Sequence, residues 1–153
     1  MGQIDIDIVM HRLSQLMCGY NYEVVFGLKV FDNCNTVEQL KSRLKITYPH
    51  SSPENVPLVS MAVEDFWEEI NYGFDYRGDD VAGLELSPAE EIQLKELQQS
   101  YIRYIEALII PGTEIYSYPD DRGLPVYTVY WGFHFAIFTT QKRCVFLFGA
   151  GSD

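Results

Sequence analysis

The run "VYTVYWGFHFAIF", Val126–Phe138, has no polar face. Read with the period of two that a strand imposes, both alternating sets of side chains are mainly apolar or aromatic. A strand of that pattern needs cover on both sides. Two further β-like runs flank it, "TEIYSY" (Thr113–Tyr118) and "RCVFLF" (Arg143–Phe148). The connections "PDDRGLP" and "TTQK" are short enough to join antiparallel neighbours. The spacing thus predicts a C-terminal antiparallel β-meander with Tyr127–Phe138 as its central strand. Gly132 within that strand marks a bulge or a close backbone approach. The closing "FGAGSD" has no helix after it to hold a phosphate and reads as a frayed terminus.

Helical periodicity dominates the earlier part of the chain. Ile6, Val9, Met10, Leu13, Leu16 and Met17 fall on one stripe of a helix over Ile4–Met17, ended by Gly19. "YEVVFGLKVF" (Tyr22–Phe31) is β-branched and aromatic and reads as one additional N-terminal strand. Both its faces are partly apolar, so a helix competes there. In "NTVEQLKSRL", Asn35 can cap a helix, with Glu38 completing the pair. A third helix fits Leu58–Tyr72, with Val59, Val63, Phe66, Trp67 and Ile70 as its apolar stripe. The Gly- and Asp-rich "GFDYRGDDVAGLEL" then reads as a loop. "SPAEE" opens a fourth helix: Ser87 is the N-cap, Pro88 the first helical residue and Glu90 the capping-box partner. Leu94, Leu97, Tyr101, Ile105 and Leu108 form its stripe, and Pro111-Gly112 stops it. The expected fold is α+β, with the N-terminal helices packed on one face of the meander. A length of 153 residues fits a single domain, 1–153, able to bury a core without disulfide or metal staples.

Catalytic signatures are missing. His11, His50 and His134 lie in no metal-binding spacing, and Cys18, Cys34 and Cys144 form no CxxC pair. Neither a metal nor a cofactor is expected. The cysteines should be three free thiols in a reducing compartment. The Asp-rich loop fails as an EF-hand: with Asp75 first, Arg77 stands at position 3 and Leu86 where the bidentate Glu belongs. No GxSxG, GxGxxG or P-loop is present. His134 could act as a general base, with an acid from a loop or with Cys144 as nucleophile; a hydrogen-bonded core histidine is the simpler reading. The N-terminus lacks the pattern of a signal peptide, and no run is long enough to span a bilayer, so a cytoplasmic protein is expected.

Charge is the informative feature. Residues 63–91 hold ten carboxylates and one cation, Arg77, for a net charge of −9 out of −11, while each flank carries only −1. Such self-repulsion costs stability, and a concentrated negative field attracts a positive one. Nucleic acid and anionic membranes are excluded as direct partners, since phosphate contacts need Lys and Arg. Tyr72, Phe74 and Tyr76 stand among the acids, and aromatic anchors within a charged rim are usual interface anatomy. The candidate partner-binding residues are Glu64, Glu68, Glu69, Tyr72, Asp75, Tyr76, Asp79, Asp80 and Glu85, facing a basic protein.

In size, charge and late aromatic strands ("TEIYSY", "VYTVYWGFHFAIF", "RCVFLFGAGSD") the chain resembles the immunity proteins of bacterial polymorphic-toxin and contact-dependent growth-inhibition systems. That resemblance implies a small cytoplasmic protein that binds a cognate toxin domain, of nuclease type, and blocks it without catalysis of its own. Two alternatives stand beside it. One is a small hydrolase-like enzyme centred on His134 and the Asp120-Asp121 turn. The other is an adaptor or regulatory module for a different basic protein.

Overall fold

The computed structural model describes residues 4–78 and 84–153. In chain order these form α1 (Ile6–Met17), β1 (Glu23–Asp32), α2 (Val37–Thr47), β2 (Val59–Ser60), α3 (Val63–Asp75), α4 (Pro88–Glu106), β3 (Glu114–Ser117), β4 (Trp131–Phe138) and β5 (Arg143–Ser152). The five strands make one antiparallel sheet in the order β1-β5-β4-β3-β2. The expected meander is therefore its centre, β4 is the middle strand, and Tyr22–Phe31 is a strand rather than a helix. Each edge is closed by a strand from the N-terminal half, so helices and strands are interleaved in sequence rather than segregated.

Helices cover both faces of the sheet, which corrects the expected one-sided arrangement. Trp131, Phe133, Phe135 and Ile137 of β4 join Val145 and Leu147 of β5 in a core with α1, α3 and α4. The alternate residues Ala136, Phe138, Cys144, Phe146 and Phe148 meet Leu40 and Leu44 of α2, with Val56, Tyr118 and Leu124 from loops. The two apolar faces of the central run are thereby both accounted for.

Several boundaries differ from expectation. β4 begins at Trp131, not Tyr127; Tyr127 and Val129 are exposed and belong to a longer connection. β5 continues through Ser152, so "GAGS" is paired strand and not a frayed end. A Cβ on Gly149 would meet Phe133 and Phe26, and one on Gly151 would meet the Trp131 ring. These glycines are the space into which neighbouring aromatics fit. Thr36 rather than Asn35 caps α2, accepting from Gln39 N–H at 3.1 Å, while the Gln39 side chain accepts from Asn35 N–H. Ser87 and Glu90 form the expected capping box of α4.

Burial pushes the pKa of Tyr22 and Tyr118 up to about 12, and raises those of Tyr101 and Tyr48 as well. Folded, these phenols keep their protons beyond the pH, about 10, at which an unfolded chain loses them. Their stabilising contribution is complete below pH about 10 and vanishes as pH rises through the folded values. Alkaline titration should give one cooperative unfolding transition above pH about 10, with the tyrosinate absorbance of the buried phenols and loss of near-ultraviolet circular dichroism coinciding. Tyrosinate signal from all eleven tyrosines near the ordinary value, with the fold intact, would contradict this packing.

All three cysteines are free; Cys18 is exposed, while Cys34 and Cys144 are buried. Cys34 and Cys144 share the α2-side core, and burial pushes both thiols up. A thiol reagent should modify one site, Cys18, in the native protein and three after unfolding without reductant. Two sites after unfolding are incompatible with three free thiols, and one would mean a disulfide.

Candidate functional site

Helix α3 starts at Val63, five residues later than the periodicity suggests. Val59–Ser60 is extended and pairs with Tyr116–Ser117 of β3, and Val59 and Val63 are exposed rather than anchoring. The helix also runs three residues past Tyr72. Its buried side is Phe66, Ile70, Gly73 and Phe74, the i, i+4, i+7, i+8 pattern of a core-facing stripe. Phe66 packs on Phe135 with ring centroids 4.7 Å apart, and Phe74 on Phe26 and Tyr101.

The opposite side of α3 is acidic. Glu64, Asp65, Glu68, Glu69 and Asp75 are all exposed. Asp65, Glu68, Glu69 and Tyr72, spaced at three and four residues, line an open groove of about 400 Å³. Glu64 and Asp65 lie in the first turn, where the helix dipole favours negative charge. Glu69 is held above the usual carboxylate range, first by lost hydration and then by Asp65 and Glu68 beside it. Among the described residues, no cation pairs with any of these five acids.

Arg77 explains why. The one cation of the acidic segment makes a two-pronged contact with Glu91, both bonds 3.1 Å. Glu90 is spent on the α4 capping box, and hydrogen bonds from Ser87 lower its pKa. Two of the ten carboxylates thus serve the fold, and those on α3 are left unneutralised.

The aromatic candidates divide. Tyr72 is 59 % exposed at the rim of the groove. Tyr76 is half-buried, stacked on Tyr130 at 5.4 Å and packed on Tyr22, and is part of the core's edge. Phe74 is buried. Glu85 is exposed just before α4. Asp79 and Asp80 lie outside the described residues.

A second concavity, about 410 Å³, opens on the other side of Glu69. Its wall and floor include Asp120, Asp121, Arg122, Thr128 and His134, so the histidine and the paired-aspartate turn do come together. Asp120 is occupied by Arg122 through contacts of 2.8–3.1 Å, which lower its pKa. His134 is 8 % exposed, and its Nε2 has no partner among the described residues. Burial holds its pKa below the ordinary histidine value, against the pull of Asp121, the Tyr118 carbonyl and Asp120. Cys144 is not within its reach. In the β4–β5 register Cys144 faces Phe138 and His134 faces Phe148, four residues or roughly 13 Å along the strand. Sequence spacing could not reveal this cleft, which draws on three separate stretches of chain.

Among the described residues there is no metal-binding cluster of His, Cys, Asp or Glu, and no helix long and apolar enough to cross a membrane. No family model matches the chain, and no curated protein does. Its fold is similar to that of citrus MAF1, seen in two crystal forms. The form in space group C 2 2 21 superposes with a TM-score of 0.57 at 15 % identity, covering 94 % of this chain and 98 % of that one. The form in P 31 2 1 gives a TM-score of 0.52 at the same identity and coverage. Likeness at this identity is one of fold alone.

Proposed function

We propose that this protein binds a basic protein partner through the outer face of α3, and that it serves as a cytoplasmic immunity protein that blocks a nuclease-type toxin domain. One observation carries the reading: α3 presents five exposed carboxylates without a counter-cation among the described residues, beside an exposed tyrosine. The arrangement opposes fold stability, because like charges at three- and four-residue spacing repel. A partner with Lys and Arg at its own functional surface relieves that repulsion and is steered onto it. A nuclease, which must hold phosphates, has such a surface. The protein acts by occupying that surface rather than by turnover. Its buried imidazole nitrogen and raised Cys144 thiol are consistent with a role that needs no nucleophile.

The test is to read the gene directly upstream, which should encode a polymorphic-toxin domain, and to co-express that domain with this protein. Growth should be restored, and the two chains should co-purify as an equimolar complex that weakens steeply with salt. Growth arrest despite soluble expression of both chains overturns the proposal.

A further inference from the structure

The α3 groove and the His134 cleft are lined by one shared residue, Glu69. The acidic face therefore continues past the helix into a pocket whose lining includes His134 and Thr128, each with a buried polar atom that has no partner among the described residues. His134 Nε2 and Thr128 Oγ1 are both buried and both unbonded. Buried polar groups are ordinarily paired, and an orphan costs its full desolvation.

The chemistry of the vacant positions is specific. Nε2 makes no bond to any described residue. In a neutral ring with its proton on Nδ1, Nε2 presents a lone pair. Asp121 adds a carboxylate without a salt bridge among the described residues, since Arg122 is committed to Asp120. Glu69 supplies a second carboxylate at the mouth. Thr128, half-buried, adds a hydroxyl oxygen. Every one of these groups can accept, and the free charge is negative. A metal ion does not fit, because no three ligating side chains converge among the described residues. A planar guanidinium does, with five donors in a fixed fork suited to several acceptors at once. The volume is at the scale of small ligand sites.

We propose that the His134 cleft is the socket for one arginine side chain of the partner, its guanidinium held by Asp121 and donating to His134 Nε2, with Glu69 adding negative charge along the cleft. This inference rests on the partner-binding reading above and extends that interface from α3 onto the sheet.

The experiment uses methylguanidinium as probe and the full chain, with ¹⁵N-labelled histidine observed by NMR. A saturable shift of the His134 Nε2 resonance is expected, with methylammonium markedly weaker. Asp121→Asn should weaken the guanidinium response about tenfold, the loss of one charge-assisted contact. Glu38→Gln, exposed on α2 and lining neither cavity, should leave it unchanged. No shift, equal shifts with both probes, or an unaltered response in Asp121→Asn overturns the socket. The partner-binding reading is judged separately, by the complex itself. A complex that forms while methylguanidinium leaves His134 untouched refutes the socket alone. A saturable probe response with no complex refutes the reading instead.

Discussion

Reversing Asp65, Glu68 and Glu69 to lysine is expected to slow association with a basic partner by about ten- to a thousandfold at low salt. These three residues share the α3 groove with Tyr72, and each reversal changes the local charge by two units. Exposed charges act through the long-range field that precedes contact, so the loss falls mainly on the association rate. The Debye length shortens to about 8 Å at physiological ionic strength, so wild type and variant should converge as salt rises. Tyr72→Ala should behave differently. Its ring gives desolvated contact area rather than steering, so it should speed dissociation and leave association nearly unchanged. Asp65 lies in the first turn of α3, and lysine there opposes the helix dipole by about 0.3–1 kcal/mol, so melting must be checked in parallel. Equal association rates at low salt, with the fold intact, would remove α3 from the interface. The remaining aromatic edge is then Tyr116 on β3, since Tyr118 is 1 % exposed.

Features fixed by local chemistry were legible in the sequence. Ser87, Pro88 and Glu90 mark the start of α4 because a cap is closed by residues three apart. The two-sided apolar pattern of β4 likewise announced a strand at the middle of the sheet. Features decided by distant partners were not. Val59–Ser60 looks like the first turn of a helix, but pairing with β3 makes it a strand. Gly149 and Gly151 look like a loose tail, but they are the places where Phe133, Phe26 and Trp131 need room. α2 looked like one more helix for a single layer, and only the split of the core into two clusters puts it on the far side.

The site divides on the same line. The density of carboxylates was visible in residues 63–91, and their spacing on a helix put several on one face. The commitment of Arg77 to Glu91, which leaves that face unneutralised, depends on how α3 and α4 come together. Tyr76 was indistinguishable from Tyr72 by sequence, yet its stacking on Tyr130 makes it part of the fold. The acidic surface is therefore a property of how α3 is seated, and that seating turns on one residue of β4.

Trp131→Ala is expected to destabilise the protein by about 3–5 kcal/mol, read as a lower urea midpoint. Its indole donates to the Tyr22 hydroxyl at 2.6 Å, a buried bond between β4 and the residue preceding β1. The ring packs against Phe26 and Phe133 at 5.7 and 6.0 Å. Removing it opens a cavity and strands a buried phenol. Trp131→Phe keeps most of the volume and loses only the bond, at about 1–3 kcal/mol. Gly73→Ala isolates the contact with α3. Alanine is the better helix former by about 1 kcal/mol, so propensity alone makes this change stabilising. A Cβ at position 73 would stand 2.7 Å from the Trp131 ring, and overpacking a filled core costs about 1–3 kcal/mol. The contact should win, and the variant should be less stable than wild type. A more stable Gly73→Ala protein would mean that α3 is free to lift off the sheet, carrying Glu68, Glu69 and Tyr72 away from the cleft at His134.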